Sequence, residues 1–144
     1  MRPPLPFDAY PCEREISLIF ADIDRIGHVN NVAIARFFEE GRVTLNRMIE
    51  GLLPAGTPLR MLLAHVDIDY LAEVTYPGEV RLGIGVHRIG RTSIAHRAGL
   101  FQNGKPVAVS RSVDVHTVAG ESGAVPLSEE YRAAARKLLL PDAA

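Results

Sequence analysis

Apolar and polar positions along this chain change period several times, and each change marks an element. From Glu15 to Ala21 the apolar residues Ile16, Leu18 and Phe20 alternate with neighbours, the period of a strand with one buried face. Ile19 and Ala21 make the second face apolar too, which predicts cover on both sides. From about Asn30 to Glu50 the period becomes helical: Ile34, Phe37, Gly41, Leu45 and Met48 share one face, widened by Val32, Ala33, Ala35 and Phe38. The first two turns are nearly all apolar, which predicts burial on most sides. Gly41 costs about 1 kcal/mol relative to alanine inside a helix, and close approach of a sheet explains such a residue. Gly51 is placed as a stop.

Beyond the loop of Pro54, Gly56 and Pro58 the alternation returns. Arg60 to Leu71 places Leu62, Ala64, Val66, Ile68 and Tyr70 on one face. Pro77-Gly78 signals a turn, after which Val80, Leu82, Ile84 and Val86 form the next apolar face. Gly90 separates this run from Thr92 to Gln102, and Asn103-Gly104 is a strong hairpin turn. Val107, Val109, Val113 and Val115 carry the pattern to about Val118. Ser128 is a good N-cap with Glu129 and Glu130 behind it, so a closing helix is expected over Ser128 to Leu140, before Pro141. At the other end, four prolines between Met1 and Pro11 exclude a helix, and residues 1–12 read as an extended arm.

The order is strand, long helix, four strands, short helix. Successive hairpins make the sheet largely antiparallel, so the fold class is α+β: a curved five-stranded sheet around one long central helix. No repeat, low-complexity tract or linker divides residues 1–144, which read as a single domain. One sheet covers such a helix poorly on one side, and its free edge invites a second copy of the chain.

Composition narrows the class. Hydrophobic residues at 47% and charged residues at 23% are ordinary for a soluble globular protein. A formal net charge of −1 argues against a broad nucleic-acid surface. Cys12 is the only cysteine, which excludes an internal disulfide and a thiolate-rich metal site. There is no signal-like or membrane-spanning apolar run, so a cytoplasmic location is expected. His65, Asp67 and Asp69 share a strand face and make a metal site conceivable, but a solvated or interface face is the plainer reading and no metal is assigned. Glu39, Glu40 and Arg42 read as helix-face charge pairs.

The chemistry concentrates in Phe20 to Arg42. Asp22, Asp24 and His28 are delivered, through a turn at Gly27, to the N-terminus of the long helix. Unpartnered amides there carry partial positive charge and can polarise a carbonyl or hold an anion. Asp22 reads as a cap or turn former and Asn30 as the N-cap, with Asn31 able to buttress the loop.

The run Asp22-Ile23-Asp24-Arg25-Ile26-Gly27-His28-Val29-Asn30-Asn31, followed by Arg36-Phe37-Phe38-Glu39-Glu40-Gly41-Arg42, resembles the signature of hotdog-fold acyl-CoA thioesterases of the 4-hydroxybenzoyl-CoA thioesterase-like family. It is also similar to plant acyl-ACP thioesterases, from which it departs at Ile26, where those carry asparagine. The layout agrees from about Arg14 to Val118. The resemblance implies hydrolysis of an acyl-CoA, with Asp24 as nucleophile or base, His28 beside it, and amides near Val29, Asn30 and Asn31 polarising the thioester carbonyl. It implies no cofactor. The Ile89 to Ser93 turn is expected to hold the nucleotide part of CoA through Arg91, Thr92 and Ser93. A homodimer or dimer of dimers is expected, with no nucleic-acid or membrane partner. An acyl carrier protein substrate, or an acyl-CoA-binding protein without catalysis, are the alternatives.

Overall fold

The computed structural model describes residues 3–143. Five strands form one antiparallel sheet: β1 (Cys12–Ser17), β2 (Arg60–Tyr70), β3 (Glu79–Ile89), β4 (Ser93–Gln102) and β5 (Lys105–Thr117). Their spatial order is β1-β3-β4-β5-β2. The long helix α1 (Asn31–Gly51) lies over β1 and β3, and the short α2 (Glu129–Arg136) closes one end. This is the hotdog arrangement that the resemblance implies.

The core is the contact of α1 with the inner sheet face. Phe37, Phe38, Leu45 and Ile49 meet Val80, Leu82, Ile84, Ile94 and Leu100. A Cβ at Gly41 would run into the Leu82 side chain, so the glycine is the close approach to the sheet that its position suggests. Ile49, not Met48, completes the buried stripe, while Val32 and Ala35 are exposed. Burial around most of the first two turns is therefore not found: the sheet reaches α1 from one side only. Gly51 is the last helical residue, and Leu52 ends the helix.

The chain departs from its own alternation where it must bend. β1 ends at Ser17, because the chain then makes a single 3-10 turn over Phe20–Asp22. The Asp22 carboxylate accepts the Ile19 amide at 3.0 Å and holds that turn. Phe20, expected inside, is 79% exposed and meets Tyr76 edge-on. On β2 the register shifts between Leu63 and His65, so inward positions pass from Met61 and Leu63 to Val66, Ile68 and Tyr70. On β5 the extra residue is Val107, whose carbonyl takes the amides of Leu71 and Ala72. Beyond it the inward residues are Ser110, Ser112, Asp114 and His116, and the expected valine face turns outward.

The ends of the chain also differ from expectation. Of the arm, residues 1 and 2 lie outside the described residues. Phe7–Ala9 form a 3-10 turn, and Tyr10 packs with Phe101 and Leu140 on the outer sheet face, over Gly83 and Gly99. The closing helix stops at Arg136. Val86, at a register shift and beyond the reach of β1, instead donates to the Leu138 carbonyl and accepts from the Leu140 amide. A short parallel bridge to β3 thus replaces the last helical turn.

Candidate active site

Residues 22–31 form a closed local structure. The Asp24 amide donates to the His28 carbonyl at 2.9 Å and the Gly27 amide to the Asp24 carbonyl at 3.1 Å. The Asp24 Oδ1 accepts the Ile26 amide at 2.9 Å and the His28 amide at 3.4 Å. Gly27 sits at φ 90°, a conformation open to glycine at little cost. Asp24 is thus a turn former through one oxygen. Its Oδ2 has no protein partner among the described residues, and the residue lines a cavity of about 300 Å³.

Asp22 has the other fate. It is 4% exposed, and its Oδ1 accepts Arg36 at 2.6 Å. Both its oxygens are engaged within the fold, consistent with a structural role. Asn30 caps α1: its Oδ1 accepts the Ala33 amide at 2.8 Å, and its Nδ2 donates to the Asp22 carbonyl at 2.9 Å. This pins the Asp22 segment to the helix start.

Of the three residues expected to supply oxyanion donors, two have their amides committed. The Val29 amide donates to the Val74 carbonyl and the Asn30 amide to the Asp22 carbonyl. The amides of Asn31 and Val32, in the exposed first turn of α1, keep no partner among the described residues. Asn31 lines the Asp24 cavity together with His28, Ile34, Tyr70 and Glu73. Of the amides at the helix start, those of Asn31 and Val32 are therefore the ones left uncommitted.

Glu73 is the residue that sequence reasoning missed. It follows β2, and its Oε2 lies 3.1 Å from His28 Nε2. His28 also forms a bridge with Thr75, which ties the turn to the β2–β3 loop. Glu73 stands 45 positions from His28, and nothing local distinguishes it from a solvated loop charge; only the sheet topology brings the two together.

Arg91, Thr92 and Ser93 are not brought to this cavity within one chain. They sit at the β3–β4 turn, while Asp24 adjoins the start of β3, about 30 Å away along that strand. The Arg91 carbonyl accepts the Leu127 amide, so the turn is packed against the approach to α2. His65 and Asp67 lie on the outer face, where Asp67 pairs with Arg111 at 3.1 Å. Burial alone would raise the Asp67 pKa, but the Arg111 and His65 hydrogen bonds hold it below the usual carboxylate value. Among the described residues no group of three or more His, Cys, Asp or Glu is assembled that could hold a metal. Glu40 pairs across to Arg14 on β1 at 3.1 Å, not along the helix.

Known proteins place this geometry in context. The PA5185 protein of Pseudomonas aeruginosa strain PAO1 superposes with a TM-score of 0.81 at 30% identity, over 94% of this chain and 96% of that one. A thioesterase of Thermus thermophilus, solved with coenzyme A and zinc, superposes with a TM-score of 0.79 at 26% identity, over 91% and 96%. The uncharacterised YsmA protein of Bacillus subtilis strain 168 is 29% identical over 120 residues, 82% of this chain and 80% of that one. Residues 19–135 match the thioesterase-like superfamily, and with the hotdog sheet and helix around an acid-bearing turn, the chain belongs to that family.

Proposed function

We propose that the chain hydrolyses the thioester of an acyl-CoA, releasing the free acid and CoA. The observation that carries this reading is the free Asp24 Oδ2 on a cavity that Asn31 also lines, at a helix start where the Asn31 and Val32 amides keep no partner among the described residues. A thioester carbonyl seated against those amides would be polarised, and its oxygen stabilised as negative charge develops. The Asp24 carboxylate then either attacks the carbonyl carbon or takes a proton from a water that does. In both routes the carbon–sulfur bond breaks, the thiolate leaves and is protonated, and water supplies the hydroxyl of the acid. The His28–Glu73 pair closes one wall and limits how far the His28 ring can swing. The coenzyme A bound to the Thermus relative supports CoA as the carrier; an acyl carrier protein substrate keeps the same chemistry.

The site reads as shared between two copies. β2 is an edge strand, and Leu62, Leu63, Val66, Tyr70 and Leu71 on or beside it are exposed, as are Val32 and Val43 on α1. Pairing two β2 edges would cover these residues. It would also allow Arg91, Thr92 and Ser93 of a second copy to approach a CoA held at Asp24. A sedimentation run is expected to give a dimer or larger; a fully active monomer at micromolar concentration would reject the shared site.

One observation favours a second reading, acyl-CoA binding without hydrolysis: Asp24 Oδ1 already serves the turn. A free-thiol assay across short, branched, long and aromatic acyl-CoAs separates the two. Thiol release above the uncatalysed rate supports hydrolysis, and tight binding with no release at any acyl group supports the second reading.

A further inference from the structure

The inner face of the sheet is apolar under most of α1 and polar on β5. Ser112 and Asp114 point inward there and are buried. His96 faces the same way on β4, directly opposite Ser112, with its Nδ1 3.3 Å from the Ser112 hydroxyl. From α1, Asn46 Nδ2 donates to Asp114 Oδ2 at 3.3 Å, and Arg42 lies within electrostatic reach of the same carboxylate. Tyr131 of α2 also lies within electrostatic reach of Asp114. Asn46 Oδ1, His96 Nε2 and the Tyr131 hydroxyl are buried with no hydrogen-bond partner among the described residues. Buried polar atoms are almost always partnered. Three such atoms stand near one carboxylate, where water or a ligand hydroxyl would satisfy them.

Within one chain this cluster adjoins an open cleft, which a second copy paired along β2 would roof. Across from Asp114 on β2 lies Leu63, and across from Ser112 lies Val66; both point inward yet remain 47% and 41% exposed. They are uncovered because α1 packs over β1 and β3 rather than over β2. The Asp24 cavity opens at one end of the α1–β2 cleft, and Asn46 borders a second cavity of about 270 Å³ at the other. Asn31, Ile34, Phe38, Arg42 and Asn46 follow one another along the same flank of the helix. From Asn31 to Arg42 the helix rises about 16 Å, the span of a medium-length acyl chain.

Within the buried cluster one cation faces one anion, the other carboxylate near Arg42, Glu39, being exposed on α1. Arg42 opposes Asp114, and burial pushes the His96 pKa down to about 4, so the ring is neutral near pH 7. A carboxylate entering such a place would unbalance it; a hydroxyl would not. We infer that Arg42, Asn46, His96 and Asp114 form a distal subsite for a neutral hydroxyl at the far end of a medium-length acyl chain. The inference rests on the thioesterase reading of the Asp24 cavity and names the substrate class within it.

The test is thiol release from dodecanoyl-CoA and from its ω-hydroxy counterpart. The expected kcat/KM ratio is at least about tenfold in favour of the hydroxylated chain, because a site built to hydrogen-bond a hydroxyl discriminates against its absence. Asn46→Leu, which replaces the orphaned amide with alkyl, should bring that ratio to one or below. The ratio is taken within one sample and does not depend on the fraction folded. A wild-type ratio of one or less, as expected of a cluster that holds only structural water, overturns the subsite. If neither thioester is cleaved, the hydrolase reading fails and binding decides the subsite separately. A larger rise in melting temperature with free ω-hydroxydodecanoic acid than with dodecanoic acid supports it, and an equal or smaller rise overturns it.

Discussion

The two halves of α1 handle polar groups in opposite ways. At its start, Asp22, Asp24 and Asn30 are satisfied by one another, the backbone and Arg36 through contacts spanning at most 14 residues, His28 alone reaches on to Glu73, and one carboxylate oxygen is left facing a cavity. Past its middle, Asn46 donates to Asp114, 68 residues away, Arg42 lies within electrostatic reach of the same carboxylate, and several buried atoms keep no partner among the described residues. The first half commits its polar groups to a turn from which a single free carboxylate oxygen emerges. The second half keeps polar groups under cover, where their protonation and partnering are constrained by the whole fold. Substitutions at the start should therefore divide cleanly into chemistry and local stability, and those past the middle should couple stability to pH.

The largest expected effect is on Asp24. Asparagine preserves Oδ1 as acceptor for the Ile26 and His28 amides, so the turn survives, while the charge and basicity of Oδ2 are lost. Asp24→Asn is expected to lower turnover at least about 10²-fold, the low end for a positioned acid–base group, with the melting temperature near wild type. Asp22→Asn is expected to do the reverse, lowering stability by about 1–2 kcal/mol through its Arg36 contact and leaving turnover per folded molecule nearly intact. Steady-state thiol release paired with thermal melts checks both. If Asp24→Asn lowers only the melting temperature, the first half of the helix carries no chemistry and the contrast collapses.

The same contrast governs what the sequence made legible. Asp24, His28 and Asn30 interact within a few residues, so spacing, turn chemistry and helix capping disclose them. The hydrophobic stripe of α1 and the Asn103-Gly104 hairpin, with both residues at positive φ, are local for the same reason. Glu73 is not, because its contact with His28 depends on the β2–β3 loop returning to the turn. Arg42 read as a helix-face charge because its opponent, Asp114, lies on the fourth strand after it. On β5 the alternation was correct in period and wrong in face: the extra residue at Val107 and the polar inward positions reverse the rule that the valine side is the buried side. The Leu138–Leu140 bridge is likewise created by the unpaired edge of β3, which no helical pattern records.

Past the middle of α1 the sharper test is pH. His96 is buried beside Asp114 and Arg42, and desolvation holds its pKa at about 4 against an ordinary 6.5. A histidine kept neutral in the fold binds its proton more readily when unfolded. Stability contributed by the neutral ring is complete above pH 6.5 and is lost as pH falls through the window from 6.5 to about 4. At pH 5 this amounts to about 2 kcal/mol. Carboxylates titrate nearby, so the measurement is the difference between wild-type and His96→Gln denaturation free energies at pH 7 and pH 5. The variant should lose less on acidification. Parallel losses would show that the buried half does not couple to protons through His96.

The smallest effect compares two asparagines of the same helix region. Asn30 uses both ends of its amide at good distances, 2.8 Å to the Ala33 amide and 2.9 Å to the Asp22 carbonyl. Asn46 makes one longer bond, 3.3 Å to Asp114, and its buried oxygen has no partner among the described residues. Alanine at 30 removes the N-cap and frees the Asp22 carbonyl, a loss of about 1 kcal/mol for the cap alone. Alanine at 46 removes a weak bond but also an unsatisfied oxygen, and it gains helix propensity of about 0.5 kcal/mol. Asn30→Ala should therefore lower the denaturation midpoint clearly while Asn46→Ala leaves it close to wild type. Asn30→Ser, which restores a capping oxygen but not the donor to Asp22, should fall between wild type and Asn30→Ala. Equal losses at 30 and 46 would mean that the amide at 46 is as well partnered as the cap, and that the two halves of the helix do not differ in the way their hydrogen bonds describe.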